Sequence, residues 1–166
     1  MSKTGKPITI LVVDDDPDDR LLIQEALTES RLANSLFFAE DGEQALDFLR
    51  GCGAYVPGGQ EAPRPGLILL DLNMPRKDGR EVLREMRADP QLRTLPVVVL
   101  TTSKAEEDIY RTYELGVNSF ITKPVMFESF VEVVRTLGQY WFEVVELPDQ
   151  EVRGKYGSCN HKNSAG

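Results

Sequence analysis

The sequence predicts an α/β fold, a doubly wound parallel sheet of five strands with helices on both faces. Three observations carry that expectation. The short runs Ile-Leu-Val-Val, Leu-Ile-Leu-Leu and Val-Val-Val-Leu are apolar at every position, as strands buried on both faces must be. Longer amphipathic stretches at helical spacing separate the runs, which is the pattern of βα units. The 166 residues suit one domain of ordinary size.

In chain order, the first strand is expected over Ile8–Val13 and the second over Ser35–Phe38. The third is expected over Leu67–Leu70, the fourth over Pro96–Leu100 and the fifth over Ser119–Ile121. Arg20–Leu32 reads as the first helix, with Leu21, Leu22, Ala26 and Leu27 on one stripe. Asp41-Gly-Glu-Gln opens the second, which carries Ala45, Leu46, Phe48 and Leu49. Arg80–Arg87 aligns Val82, Leu83 and Met86, and Asp89-Pro90 stops that helix. Lys104–Leu115 ends at Gly116, a residue suited to a helix C-terminus. Phe127–Leu137 sets Phe127, Phe130, Val131, Val134 and Leu137 at helical spacing. The Gly- and Pro-rich stretch 51–66 reads as a long loop, and the apolar Gln139–Pro148 is no solvated tail. The domain expectation is a tail over 1–7, one domain over 8–147 with an aromatic extension, and a polar tail over 148–166.

Composition excludes several classes of function. Lys plus Arg number 19 against 27 Asp plus Glu, a net charge of −8, so the chain lacks the basic footprint of a nucleic-acid binder. No run of about 18 apolar residues marks a membrane span, and the start has no signal-peptide core. Cys52 and Cys159 lack metal or redox spacing, which fits a reducing cytoplasm. The single His161 lies in a polar tail, which removes His-based triads and most zinc sites.

In open α/β sheets, ligands bind at the carboxyl ends of the strands. The residues there are Asp14, Asp15 and Asp16 after the first strand, and Asp71 and Asn73 after the third. Thr101-Thr102-Ser103 end the fourth, and Lys123-Pro124 follow the fifth. Carboxylates this close repel one another and call for a counter-charge, and Mg²⁺ is a hard cation suited to oxygen ligands. A carboxylate nucleophile, a hydroxyl, a lysine and a cation with open positions together suit phosphoryl transfer.

Four motifs stand in this order, each after an expected strand: VVDDD ending at Asp16, LLDLNMPRKDG over Leu69–Gly79, VVLTTS ending at Ser103, and Lys123-Pro124. Over about Ile8 to Leu137 the chain thereby resembles the receiver domain of two-component response regulators, a flavodoxin-like (βα)5 fold. The resemblance implies that Asp71 is the phosphoacceptor and that Asp14, Asp15, Asp71 and the Asn73 carbonyl hold Mg²⁺, with Mn²⁺ as an alternative. It implies that Thr101 bonds the phosphoryl group and Lys123 pairs with one of its oxygens. Thr101 and Phe120 take the switch positions, Asn73 and Ser103 the positions that tune the phosphoryl lifetime, and Pro124 resembles a cis-proline site. The phrases RLLIQEAL, LTTSKAEEDI, ELGVNSFITKPV and QYWFEVVELP, with the long loop, are similar to receiver-only regulators that accompany bacterial phytochrome kinases. That similarity implies a sensor histidine kinase as partner, a bacteriophytochrome among such kinases, a homodimer, a cytoplasmic setting, and no enzymatic turnover beyond self-catalysed phosphoryl acceptance and loss.

Plainer roles stand beside these. Asp16 or Pro17 offers an alternative start for the first helix, with Asp18 and Asp19 as acids favouring its N-terminus; Asp16 reads as a solvated or capping residue, and Phe120 equally as core. Tyr140, Trp141 and Phe142 either close the core or form a self-association patch. Among other functions, an aspartyl phosphohydrolase of the haloacid dehalogenase type needs an acid two residues after its nucleophile, where this chain has Asn73. A flavodoxin-type cofactor module needs a phosphate-binding loop where this chain has acids. A phosphorelay intermediate, or a receiver-shaped scaffold serving another kinase, is the alternative.

Overall fold

A computed structural model of the chain describes residues 8–28, 33–51, 63–103 and 105–140. Ten elements alternate: β1 (Ile8–Val13), α1 (Pro17–Thr28), β2 (Ala33–Ala39), α2 (Gly42–Arg50), β3 (Leu67–Leu70), α3 (Gly79–Ala88), β4 (Val97–Thr101), α4 (Glu106–Glu114), β5 (Ser119–Thr122) and α5 (Phe127–Gln139). The five strands form one parallel sheet in the order β2-β1-β3-β4-β5. The chain runs outward from β1 in both directions, so the topological switch point lies between β1 and β3.

Side chains of the central strands alternate strictly between two cores, as a strand's period of two requires. Leu11, Val13, Ile68, Leu70, Val97 and Val99 face the core under α2 and α3, which contribute Ala45, Leu46, Phe48, Val82, Leu83 and Met86. Ile10, Val12, Leu67, Leu69, Val98 and Leu100 face the other core, under α1 and α5, with Ile23, Ala26, Leu27, Phe130 and Val134. Each fully buried aliphatic contributes about 1.5–3 kcal/mol relative to exposure, so these two layers hold the sheet. By contrast α4 buries Thr112 alone among its residues, and it is the least anchored helix.

Helix ends follow local chemistry. Asp41 caps α2 by accepting from the Gln44 N–H at 2.9 Å, and Asp78 caps α3 by accepting from Arg80 N–H at 2.8 Å and Glu81 N–H at 3.1 Å. Gly116 closes α4 at φ 77°, a left-handed backbone that favours glycine.

Several expectations need correction. The first helix starts at Pro17, the alternative start, rather than at Arg20, because Asp16 accepts from the Asp18 N–H at 2.9 Å and Pro supplies a preset first turn. Its buried stripe contains Ile23, whereas Leu21 is 55% exposed; with Leu21, Leu22 and Ile23 consecutive, helix phase decides which faces out. Phe127 is 65% exposed, since it stands at the first turn of α5 before the helix meets the sheet. No cis peptide occurs among the described residues, so the bond before Pro124 is trans; the small preference at proline permits either isomer. Cys52, most of the 51–66 loop and everything beyond Tyr140, including Trp141, Phe142, Cys159 and His161, lie outside the described residues.

Candidate functional site

Backbone pairing continues one residue past the strands and brings the chemistry together. The Asp14 N–H donates to Ala39 O at 3.0 Å, the Asp71 N–H to Val13 O at 2.9 Å, and the Lys123 N–H to Thr101 O at 2.6 Å. Asp14, Asp71, Thr101 and Lys123 thereby stand side by side at the carboxyl end of the sheet. All four are buried, in contrast to ordinary surface polar residues.

Asp71 is held from both sides. The Thr101 hydroxyl donates to its Oδ1 at 2.7 Å, and the Asn73 N–H donates to the same oxygen at 3.2 Å. Its Oδ2 accepts from Lys123 Nζ at 3.2 Å. That ammonium also donates to Asp14 Oδ2 at 2.5 Å and to Asp19 Oδ2 at 2.8 Å, so its three N–H donors meet three carboxylates. Asp14 is further fixed by the Asp16 N–H on its Oδ1 at 3.0 Å.

Burial dominates the Asp14 carboxyl and pushes it up to about 6, against the opposing pull of Lys123. For Lys123, burial works against the charge, yet the Asp14, Asp19 and Asp71 carboxylates prevail and hold the ammonium well above its ordinary value. The lysine is therefore a permanent cation among acids.

Carboxylate oxygens of Asp14, Asp15 and Asp71 come within 4.8 Å of one another, with Asp15 exposed and the other two buried. Three hard oxygen donors with one side open to solvent fit Mg²⁺ or Mn²⁺, which keep several waters. The ammonium of Lys123 lies on two of those three acids, so ion and lysine draw on the same carboxylates.

The remaining expected residues sit around this cluster. Asn73 is exposed, with its side-chain Nδ2 3.5 Å from Thr101 Oγ1. The Ser103 N–H reaches Thr101 Oγ1 at 3.5 Å, while its hydroxyl donates away from Asp71, to Asp108 Oδ2 at 2.6 Å. Phe120 is half-buried against the core under α2 and α3, and its N–H donates to the Tyr113 hydroxyl at 3.2 Å. Gly79 lets α3 begin against Asp71 itself: a Cβ there would stand 2.2 Å from the Asp71 carbonyl oxygen.

Two features escape the sequence reading. Asp19, read as a helix-end acid, reaches Lys123 across 104 positions of sequence. Asp108, at the start of α4, receives a two-pronged bond from Arg80 at the start of α3, both contacts at 2.7 Å. The Arg80 bond holds Asp108 down to about 2, with Ser103 assisting. No spacing rule links residues so far apart; charge complementarity between Arg80 and the acidic first turn of α4 is the one available signal.

The fold is shared with known proteins. The family model of the response regulator receiver domain matches residues 10–135. Response regulator Rcp1 of Synechocystis sp. is 43% identical over 146 residues, covering 88% of this chain and 97% of the relative. The crystal structure of the Mn²⁺-bound form of Rcp1 superimposes with a TM-score of 0.80 at 44% identity, covering 86% of this chain and all of that one. The phosphorylated cyanobacterial phytochrome response regulator RcpA gives a TM-score of 0.79 at 42% identity, covering 87% of this chain and 100% of that one. A response regulator in red light signalling of R. palustris gives 0.75 at 38% identity, over 86% and 99% of the two chains.

Proposed function

The chain belongs to the response regulator receiver domain family, and from that premise we propose that Asp71 accepts a phosphoryl group from a sensor histidine kinase, a bacteriophytochrome, in light signalling. The observation that carries the reading is the burial of Asp71 between a hydroxyl donor at 2.7 Å and a permanent ammonium at 3.2 Å, at the topological switch point of the sheet. In the transfer, a carboxylate oxygen of Asp71 attacks the phosphorus of the phosphohistidine. An O–P bond forms as the P–N bond breaks, and the imidazole leaves on the kinase. Mg²⁺ or Mn²⁺, held by Asp14, Asp15 and Asp71 with the Asn73 carbonyl, would offset the charge of the phosphoryl oxygens.

Thr101 and Lys123 act next. With Asp71 esterified, the Thr101 hydroxyl turns to a phosphoryl oxygen, and Lys123 exchanges its Asp71 contact for another. Thr101 carries Ser103 with it, and Ser103 is bonded to the first turn of the weakly anchored α4. Movement of that loop, with Phe120 following, changes the surface offered to partners. Asn73 and Ser103, flanking the phosphoryl position, set its lifetime. The receiver domain extends over 8–147, works in the cytoplasm and pairs as a homodimer. No helix among the described residues is long and apolar enough to cross a membrane.

The test is intact mass spectrometry after incubation with acetyl phosphate. A gain of one phosphoryl group that needs Mg²⁺ and disappears in Asp71→Asn supports the reading. No gain, with Mg²⁺ present and with a matched phosphorylated kinase supplied instead, sinks it.

A further inference from the structure

We infer that Asp19 is a positioning residue: it draws the Lys123 ammonium aside so that Asp14 and Asp71 are free to hold a divalent cation. The inference rests on the metal half of the function proposed above. Lys123 Nζ contacts three carboxylates, and two of them, Asp14 and Asp71, belong to the converging cluster with Asp15. Lysine and cation therefore compete for the charge of the same two carboxylates.

The lysine side chain is only 5% exposed. An ammonium so buried is costly without a partner, so it leaves Asp14 and Asp71 only if another acceptor remains. Asp19 is the contact that stands outside the cluster, at 2.8 Å from Nζ and on the first turn of α1. When a cation takes Asp14 and Asp71, Asp19 keeps the lysine paired. Without the Asp19 charge, Lys123 falls back on the two cluster acids and raises the energy of cation entry.

Asp19→Asn keeps the shape and one acceptor oxygen but removes the charge. Mn²⁺ binding, read from the electron paramagnetic resonance signal of the free ion and without any phosphoryl donor, should weaken about five- to tenfold, the size expected for one charge acting on a divalent ion across a partly screened distance. Asp19→Glu, which keeps the charge, should recover most of the loss. Asp18→Asn removes the same formal charge from the exposed neighbouring position, away from Lys123, and should weaken binding less than about twofold. The half-saturating Mg²⁺ concentration for acetyl phosphate labelling should rise in the same ratio as the Mn²⁺ dissociation constant.

Wild-type affinity in Asp19→Asn overturns the inference. An equal loss in Asp18→Asn also overturns it, because the effect would then be general charge rather than lysine positioning. Failure of the wild-type protein to bind millimolar Mn²⁺ would remove the inference and the metal reading together. The expected Mn²⁺ pattern without phosphoryl uptake would leave the inference standing and remove only the phosphoryl reading.

Discussion

Replacing Gly79 by alanine tests whether the fold and the site are built on the same contact. The new Cβ would lie 2.2 Å from the Asp71 carbonyl oxygen and 2.8 Å from Leu72 Cα, both backbone atoms. Ordinary contact begins near 3.4 Å, so about 1.2 Å of separation must be found by moving main chain. The end of β3 cannot give, because β1 and β4 hold β3 on either side. The start of α3 must therefore lift, straining the Gly79 N–H bond to Leu72 O at 3.0 Å and the Asp78 cap. Overpacking of about 1–3 kcal/mol and a weakened hydrogen bond of about 1 kcal/mol sum to roughly 2–4 kcal/mol. For a chain of this size, 3 kcal/mol corresponds to a Tm lower by roughly 6–12 °C. Gly116→Ala is the control: its nearest neighbour atom is 3.5 Å away, so only the left-handed backbone, at φ 77°, costs about 1 kcal/mol. Thermal and urea unfolding of both variants give the comparison. A Gly79→Ala protein as stable as Gly116→Ala, or more so, would refute the packing argument.

Three further outcomes follow from the site. Lys123→Met leaves Asp14, Asp19 and Asp71 without their shared cation, and in metal-free buffer it should lose about 3–5 kcal/mol; millimolar Mg²⁺ should restore Tm far more in this variant than in the wild type. Asp108→Asn breaks a charge-assisted bidentate contact and should cost about 1–2 kcal/mol at pH 7. Because the folded carboxyl is held near 2 against an ordinary 3.8, that contribution is present above about pH 4 and disappears as pH falls through 2; urea midpoints of wild type and variant should converge over that window. Thr101→Val keeps the buried volume but removes the hydroxyl on Asp71, so hydrogen exchange over 103–115 should lose its dependence on phosphorylation, and a retained dependence would contradict the coupling through Thr101.

Much of this was legible in the sequence because the central strands are apolar on both faces. For β1 and β3, Ile8–Val13 and Leu67–Leu70, the expected bounds match the structure residue for residue. The edges were harder: β2 extends past Ser35–Phe38 to Ala33 and Ala39, where its residues are small or polar and carry no apolar signal. The start of α1 was obscured because Pro17, Asp18 and Asp19 belong at once to a helix N-terminus and to the rim of an acidic site. The residues that end the strands were identifiable by position alone, since parallel topology dictates that Asp14, Asp71, Thr101 and Lys123 converge. What position could not give was partnership: whether Lys123 takes two acids or three, and which cation meets Asp108. Those contacts depend on how α1, α3 and α4 sit against the sheet, a tertiary matter that local spacing does not encode.

The central claim is that one carboxylate, Asp71, takes the phosphoryl group. Borohydride reduces an acyl phosphate to an alcohol, so an aspartyl phosphate becomes homoserine at the modified position. The decisive measurement is therefore peptide mass spectrometry of the protein after acetyl phosphate, Mg²⁺ and borohydride. Homoserine at position 71 alone, absent when Mg²⁺ is chelated, is the predicted result. Homoserine at Asp14, Asp15 or Asp19, or label that ignores Mg²⁺, would contradict the account.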